Sequence, residues 1–269
     1  MSKLVFPEGI YYNYKYITGG DYIPSDMEVA NINNLYRGAS SPIISVNCNT
    51  SNCTEARYAF SDCASLITIN SFDTSKVTKM NYMFNNCSAL LTIPQLDTSN
   101  VTDMIGMFYG CKLLPTIPQL DTSKVTDMSN MFFYCYALKT IPQLDTSKVT
   151  TMNQMFYGCA ELESLPKFNA SKVKDVSSFF GYSTISKLLH VGGFENLGME
   201  KSVSGTTSST FLSSCPNLTK ESILNVLNGL YDRASAGYSV LGLRLGSAHL
   251  AKLTDDEKAI ATNKGWTLS

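Results

Sequence analysis

Cysteine is the residue type with the most chemistry open to it in this 269-residue chain, and its placement is periodic. Cys63, Cys87, Cys111, Cys135 and Cys159 recur at every twenty-fourth position. A thiol column could ligate zinc or form disulfides. Metal ligation fits poorly, because no histidine accompanies the column and the spacing is not CxxC. Disulfides fit poorly as well. Stacked parallel coils lie ~4.8 Å apart, within Cα reach, but parallel side chains have the wrong mutual orientation and an odd-numbered column cannot pair off completely. The column reads as buried free thiols acting as small hydrophobes. Cys48 and Cys53 lie off the column and are the pair placed for a local disulfide.

Asp73, Asp97, Asp121 and Asp145, with Asn169 last, form a second column with the same spacing. Carboxylates in register could hold calcium, as in glycine-rich nonapeptide repeats. Those sites need glycines for tight ligand loops, and this turn has none. An Asx side chain can instead accept a hydrogen bond from an N–H two residues on and set the turn. Asn169 keeps that ability, so turn-setting is the better reading.

Catalysis and cofactor binding lack their ingredients. His190 and His249 are far apart in sequence, each in an apolar, strand-like setting. No glycine-rich phosphate loop, HExxH or GxSxG occurs, and Gly192-Gly193 lacks the spacing of a dinucleotide motif. No enzyme activity, cofactor or metal is expected. Charged residues make up 16% of the chain and the net charge is −1, which provides no drive toward nucleic acid or anionic lipid. No apolar run approaches the ~20 residues of a membrane span. The first residues show no apolar core of a signal peptide and no cleavage site. Cell-surface placement would therefore require export as part of a longer precursor; a virion-associated role is the alternative.

These columns require a scaffold that repeats with the same period. Fixed self-similarity of this kind is the mark of a solenoid, in which each unit packs only on its neighbours. One copy places apolar residues at Leu90, Ile93, Leu96, Val101, Met104, Met107, Phe108 and Cys111. That spacing holds neither a period of 2 nor one of 3.6. It predicts two short extended pieces, 90–93 and 101–104, separated by turn chemistry at Pro94 and Asp97-Thr-Ser99. Met107 to Cys111 leaves room for one helical turn. The fold expected is an α/β repeat solenoid with short parallel strands and one helical turn per coil, capped at both ends.

Three regions follow. Residues 1–45 are rich in tyrosine (Tyr11, Tyr12, Tyr14, Tyr16, Tyr22 and Tyr36) and read as an N-terminal cap, or as a docking segment for an assembly partner. Residues 46–218 are the solenoid, with an irregular insertion at about 183–210. There Ser183 stands where a cysteine is due, and Cys215 comes later than the period would place the next one. Residues 219–269 read as a helix–strand–helix cap. Thr219 and Thr254 carry the N-terminal signals of the two helices, and Trp266 packs near the end.

The unit Leu-Asp-Thr-Ser-Lys-Val-Thr-Asp-Met-Ser-Asn-Met-Phe…Cys, at Leu120 to Cys135, resembles the BspA-like leucine-rich repeats of bacterial surface proteins. The likeness runs over about residues 49–218. It implies a leucine-rich-repeat solenoid and a non-catalytic role in adhesion or ligand binding. The C-terminal wording, Leu250 to Trp266, resembles the endings of such proteins from gut bacteria and their phages, which implies a structural role in a virion or tail as the alternative.

With the register set, positions that vary between coils become informative. Tyr109, Phe133 and Tyr157 share one phase and should form a continuous aromatic row, flanked by Tyr134 and Tyr136. Exposed apolar rows mark partner sites, and aromatic rings suit sugars and protein hot spots alike. The same rings could simply shield the coil edge. Gln95, Gln119 and Gln143 share another phase, as do Thr68, Thr92, Thr116, Thr140 and Ser164; ladders of this kind support stacking. The expected partner is a protein or glycan bound on the aromatic row.

Overall fold

The computed structural model describes residues 30–40, 42–44, 49–181, 185–207 and 211–269. Tyr11, Tyr12, Tyr14, Tyr16 and Tyr22 of the expected cap lie outside the described residues, as do Cys48, Tyr182 and Ser183. The described chain is a stack of coils in which residues one repeat apart lie side by side. Parallel bridges link Asn31 to Glu55, Glu55 to Lys79 and Lys79 to Asp103, then Asp127 to Thr151 and Thr151 to Asp175. The ladder thus begins inside the stretch 1–45. Ile32 N–H donates to Glu55 O and Tyr36 N–H to Ala59 O, and the Tyr36 ring stacks on Phe60 at 5.2 Å.

Strands are two residues long where they occur in the coils. β1 (Ile43–Ile44) pairs with β2 (Thr68–Ile69) at one end. Toward the other end, β3 (Ser164–Leu165) and β4 (Phe168–Asn169) pair with β5 (His190–Val191) and β6 (Phe194–Glu195), all in parallel. The coil lengthens here in two places. Phe168 faces Phe194 where the regular spacing would bring Gly192, and Asp175 faces Ser204 where it would bring Met199. The expected insertion is therefore distributed along the coil.

The stretch from Met80 to Cys87, which includes the expected helical turn, is instead a run of turns. Tyr82 and Asn86 sit in the left-handed region (φ 56° and 58°), and the same two phases recur at Asn130 and Tyr134 and at Gln154 and Gly158. The N–H groups of Tyr82, Phe84 and Asn86 cross to Ile105, Met107 and Tyr109 of the next coil, while those of Met83, Asn85 and Cys87 turn back to Met80, Tyr82 and Phe84. A helical turn would direct every donor along its own axis and leave the neighbouring coil's carbonyls unpaired, which is costly when buried. Left-handed residues send alternate donors across the stack.

Core residues of each coil meet their own copies. Val101, Met104, Met107, Phe108 and Cys111 are fully buried. Phe60, Phe84, Phe108, Phe132 and Phe156 form one stack with centroids 5.3 to 5.7 Å apart. The thiols do more than fill space. Cys87 Sγ donates to Phe60 O at 3.0 Å, Cys111 to Phe84 O at 3.1 Å, Cys135 to Phe108 O at 3.0 Å and Cys159 to Phe132 O at 3.1 Å. Each joins a coil to the one before it. Burial pushes the Cys63 thiol up to about 11 and raises Cys87, Cys111, Cys135 and Cys159 well above the ordinary thiol range. Cys53 is buried and its Sγ donates to Glu55 O.

At the C-terminal end α1 (Lys220–Gly229) is capped by the Thr219 side chain, which accepts from Ser222 N–H. β7 (Leu241–Leu243), a short helix α2 (Ser247–Leu250) and α3 (Asp255–Thr262) follow. Thr254 and Glu257 form a reciprocal capping box on α3. A last strand, β8 (Trp266–Leu268), pairs in parallel with β7. Trp266 is buried and donates its indole N–H to Tyr231 O at 3.0 Å.

Candidate functional site

The turn edge carries the expected aromatic row. Tyr109 stacks on Phe133 at 4.5 Å and 10°, and Phe133 on Tyr157 at 4.6 Å and 3°. The next residue in phase is Gly181, and a Cβ there would lie 2.7 Å from two Tyr157 ring carbons. Tyr134 stands steeply across the row, at 63° to Phe133 and 67° to Tyr157. It lies against Gly158, where a Cβ would come within 2.5 Å of the ring. Tyr136 is 5.5 Å from Tyr134. Exposure falls from Tyr136 at 39% to Phe133 at 9%.

The three residues that share a phase and the two flanking tyrosines are therefore brought together. What the pattern did not show is that the row spends its ring faces on itself. Both faces of Phe133 are covered by Tyr109 and Tyr157, so Phe133 itself presents only its edge. Burial, reinforced by the neighbouring Tyr136 phenol, holds the Tyr109 hydroxyl above its ordinary range. A second stack on the same edge, Tyr58 on Tyr82 at 5.1 Å, has the Arg37 guanidinium 5.7 Å over its outer ring. Its signal was the regular spacing of the two tyrosines.

A second surface lies at the corner formed by the glutamine and aspartate columns. Gln95 Nε2 donates to Gln119 O, Gln119 Nε2 to Gln143 O and Gln143 Nε2 to Lys167 O, each at 2.7 Å. The Asx turns are present: Asp73, Asp97, Asp121 and Asp145 accept from the N–H of Ser75, Ser99, Ser123 and Ser147, and Asn169 from Ser171. Hydrogen bonds from the serine hydroxyl and N–H hold these four carboxyls below the ordinary range. Between the two columns runs a groove of about 550 Å³ reaching from Gln119 to Glu195.

Among the described residues no group of three or more His, Cys, Asp or Glu is placed to hold a metal ion. His249 is buried, with Nδ1 2.6 Å from Leu245 O and Nε2 2.8 Å from Cys215 O. It ties α2 to the last cysteine turn. His190 is exposed on β5.

A crystal structure of the Leucine Rich Repeat protein of T. pallidum, TpLRR, is similar over 75% of this chain and 82% of its own, at 17% identity and a TM-score of 0.48. A leucine-rich repeat protein from Eubacterium ventriosum is similar over 66% of this chain and 47% of its own, at 21% identity and a TM-score of 0.41. No curated protein matches the chain in sequence. Residues 25–116 and 91–189 match the model of a family described as a Mycoplasma protein of unknown function, DUF285. The two matches cover more than half of the chain, from ahead of the first bridge at Asn31 to the coil of Phe180, and the protein belongs to the DUF285 family.

Proposed function

We propose that the chain is a non-catalytic binding module that takes a protein partner on the turn edge of its solenoid. The observation that carries this is the Tyr109–Phe133–Tyr157 row with Tyr134 and Tyr136 beside it. A sugar ring packs its C–H groups against the face of an aromatic ring, and both faces of Phe133, at the centre of the row, are covered by Tyr109 and Tyr157. Ring edges, phenol hydroxyls and one exposed tyrosine suit the mixed apolar and polar surface of a protein hot spot. The rigid backing supports this reading, because side chains already held in place lose little freedom on binding. The resemblance of the repeat wording to BspA-like surface proteins agrees with a role in adhesion.

The test is to probe a protein array and a glycan array with the full chain and with Tyr109→Phe and Tyr136→Ser. A protein ligand that binds the parent chain and weakens at least about tenfold with Tyr136→Ser supports the site. A ligand whose binding ignores both variants removes the function from this edge.

A further inference from the structure

Among the described residues, the large apolar side chains that the regular coils leave exposed lie on one face. Ile67 is 41% exposed, Leu91 49%, Leu113 52% and Tyr136 39%. Ile67, Leu91 and Pro115 hold one phase in successive coils, and Leu113 stands two positions before Pro115. Tyr136 stands three positions before Lys139, the next residue in that phase. The five residues form a patch that crosses four coils on a diagonal and meets the aromatic row at Tyr136, 5.5 Å from Tyr134. Leu189 is also exposed but is set apart beyond Lys139 and Glu163. The main chain beneath the patch is paired across the coils: Leu91 N–H donates to Ile67 O and Lys139 N–H to Pro115 O. This face therefore offers side chains and no open strand edge. Half-exposed side chains in this number leave on the order of a few hundred Å² of apolar surface, the size of a functional patch on a monomer. A stable dimer buries about 800 Å² on each partner, so the patch suits a segment better than a second copy.

We infer that this patch seats one amphipathic α-helix of a partner protein, laid along the stack with one apolar residue per turn facing the coils. The seat rests on the reading of the turn edge as a protein-binding surface and extends it from Tyr136. Spacing selects the helix. Coils recur about every 4.8 Å, so the three steps from Ile67 to Tyr136 rise about 14 Å along the stack, and the offset of Tyr136 round the coil lengthens the path. One face of a helix presents a residue every turn, about 5.4 Å, or about 16 Å in three turns. One face of an extended segment presents a residue about every 6.7 Å, or about 20 Å in three steps. The helix keeps step with the coils, while the extended segment overshoots by about one coil. Helices seated in this way bind through side chains at every third or fourth position. Charge on the border completes the match. Lys139 is paired with Glu163 at 3.5 Å, and Lys187 with Glu161. Lys112, exposed beside Leu113, belongs to no ion pair among the described residues. The unbalanced charge is a cation, so the helix carries an acidic residue where it passes Leu113.

The experiment pans a displayed library of random 16-residue peptides on the full chain. The enriched peptides are then titrated by fluorescence anisotropy against the parent, Leu91→Asp, Leu113→Asp, Lys112→Glu and Tyr136→Ser. Enriched sequences should carry apolar residues at spacings of three and four with an acidic residue alongside. Leu91→Asp and Leu113→Asp, at half-exposed sites, should each weaken binding at least about tenfold while circular dichroism stays unchanged, and Lys112→Glu should weaken it about two- to fivefold. The seat is overturned if no peptide is enriched, if the enriched peptides alternate or lack a period, or if both aspartate variants bind as the parent does. A parent dimer in sedimentation that Leu113→Asp dissociates would give the face to a second copy and also overturn it. A protein ligand that weakens with Tyr136→Ser yet ignores Leu91→Asp and Leu113→Asp removes the seat and leaves the turn-edge reading standing. Helical peptides that answer to the two aspartate variants but not to Tyr136→Ser uphold the seat and detach it from the aromatic row.

Discussion

The side-chain amide of Gln119 lies 2.7 Å from the main-chain oxygen of Gln143. It holds the acceptor that a parallel ladder would assign to the Leu120 N–H, as Gly193 O is assigned to Phe168 N–H two coils beyond. The solenoid is thus joined by main-chain bonds on its turn edge and by side-chain bonds along the glutamine corner.

Hydrogen exchange should report this difference directly. The amides of Leu120 and Leu144 should exchange at least about a hundredfold faster than those of Phe168 and Ala170, because a hydrogen-bonded amide exchanges only on opening. Gln119→Lys, which copies Lys167, should let the ladder close and slow Leu120. Equal protection of all four amides in the parent chain would refute the arrangement.

The thiol column should make the fold sensitive to alkali. Burial raises the folded-state thiols of Cys63, Cys87, Cys111, Cys135, Cys159 and Cys215 above their ordinary value of 9.0, Cys63 to about 11 and Cys215 to about 12. Above pH 9 the unfolded chain releases these protons while the folded chain keeps them. Stability is therefore fully present below pH 9 and falls as pH rises toward 11, by up to about 1.4 kcal/mol per pH unit for each thiol. Denaturant titrations between pH 8 and 11 check the slope, and Cys111→Ala should reduce it by one thiol's share.

Gly158→Ala should loosen the turn edge. Its φ is 79°, and the new Cβ would meet Tyr134 Cδ1 at 2.5 Å. Strain and overpacking together should cost about 2–4 kcal/mol. Gly237→Ala, at φ 69° with nothing within 4 Å, isolates the backbone part and should cost about 1–2 kcal/mol. Thermal unfolding of the two variants separates the contributions; equal losses would mean that Tyr134 is not packed on Gly158.

Arg233 should hold the C-terminal unit to the solenoid. It is 1% exposed, and its guanidinium donates to the main-chain oxygens of Gly198, Glu200, Lys201 and Ser239 with the Tyr238 ring 5.3 Å away. Arg233→Met keeps the volume but strips four carbonyls of their donor, and should cost at least about 3 kcal/mol. Arg233→Lys should recover little, because a lysine cannot span the four acceptors. Proteolysis of the 198–201 segment, accelerated in both variants, gives a local readout beside global stability.

Much of this protein is legible in its sequence because each coil rests on a copy of itself. The repeat spacing alone assigns Val101, Met104, Phe108 and Cys111 to one core, brings Tyr109, Phe133 and Tyr157 into one row, and sets the Asx turns at Asp97 and Asp121. Thr219 and Thr254 announce α1 and α3, since a helix cap is a contact between near neighbours in the chain. Tertiary structure decided the rest, because those features depend on what the next coil offers. Tyr82, Tyr134 and Gln154 adopt left-handed backbones that no local preference demands, to send their donors across the stack. Whether Gln119 or the Leu120 N–H reaches Gln143 O is a competition between coils, and so is whether a ring face of Phe133 meets solvent or another ring. Arg233 finds its acceptors far back at Gly198, Glu200 and Lys201 and, after its own turn, at Ser239, and β7 pairs with β8 across the stretch that carries α2 and α3.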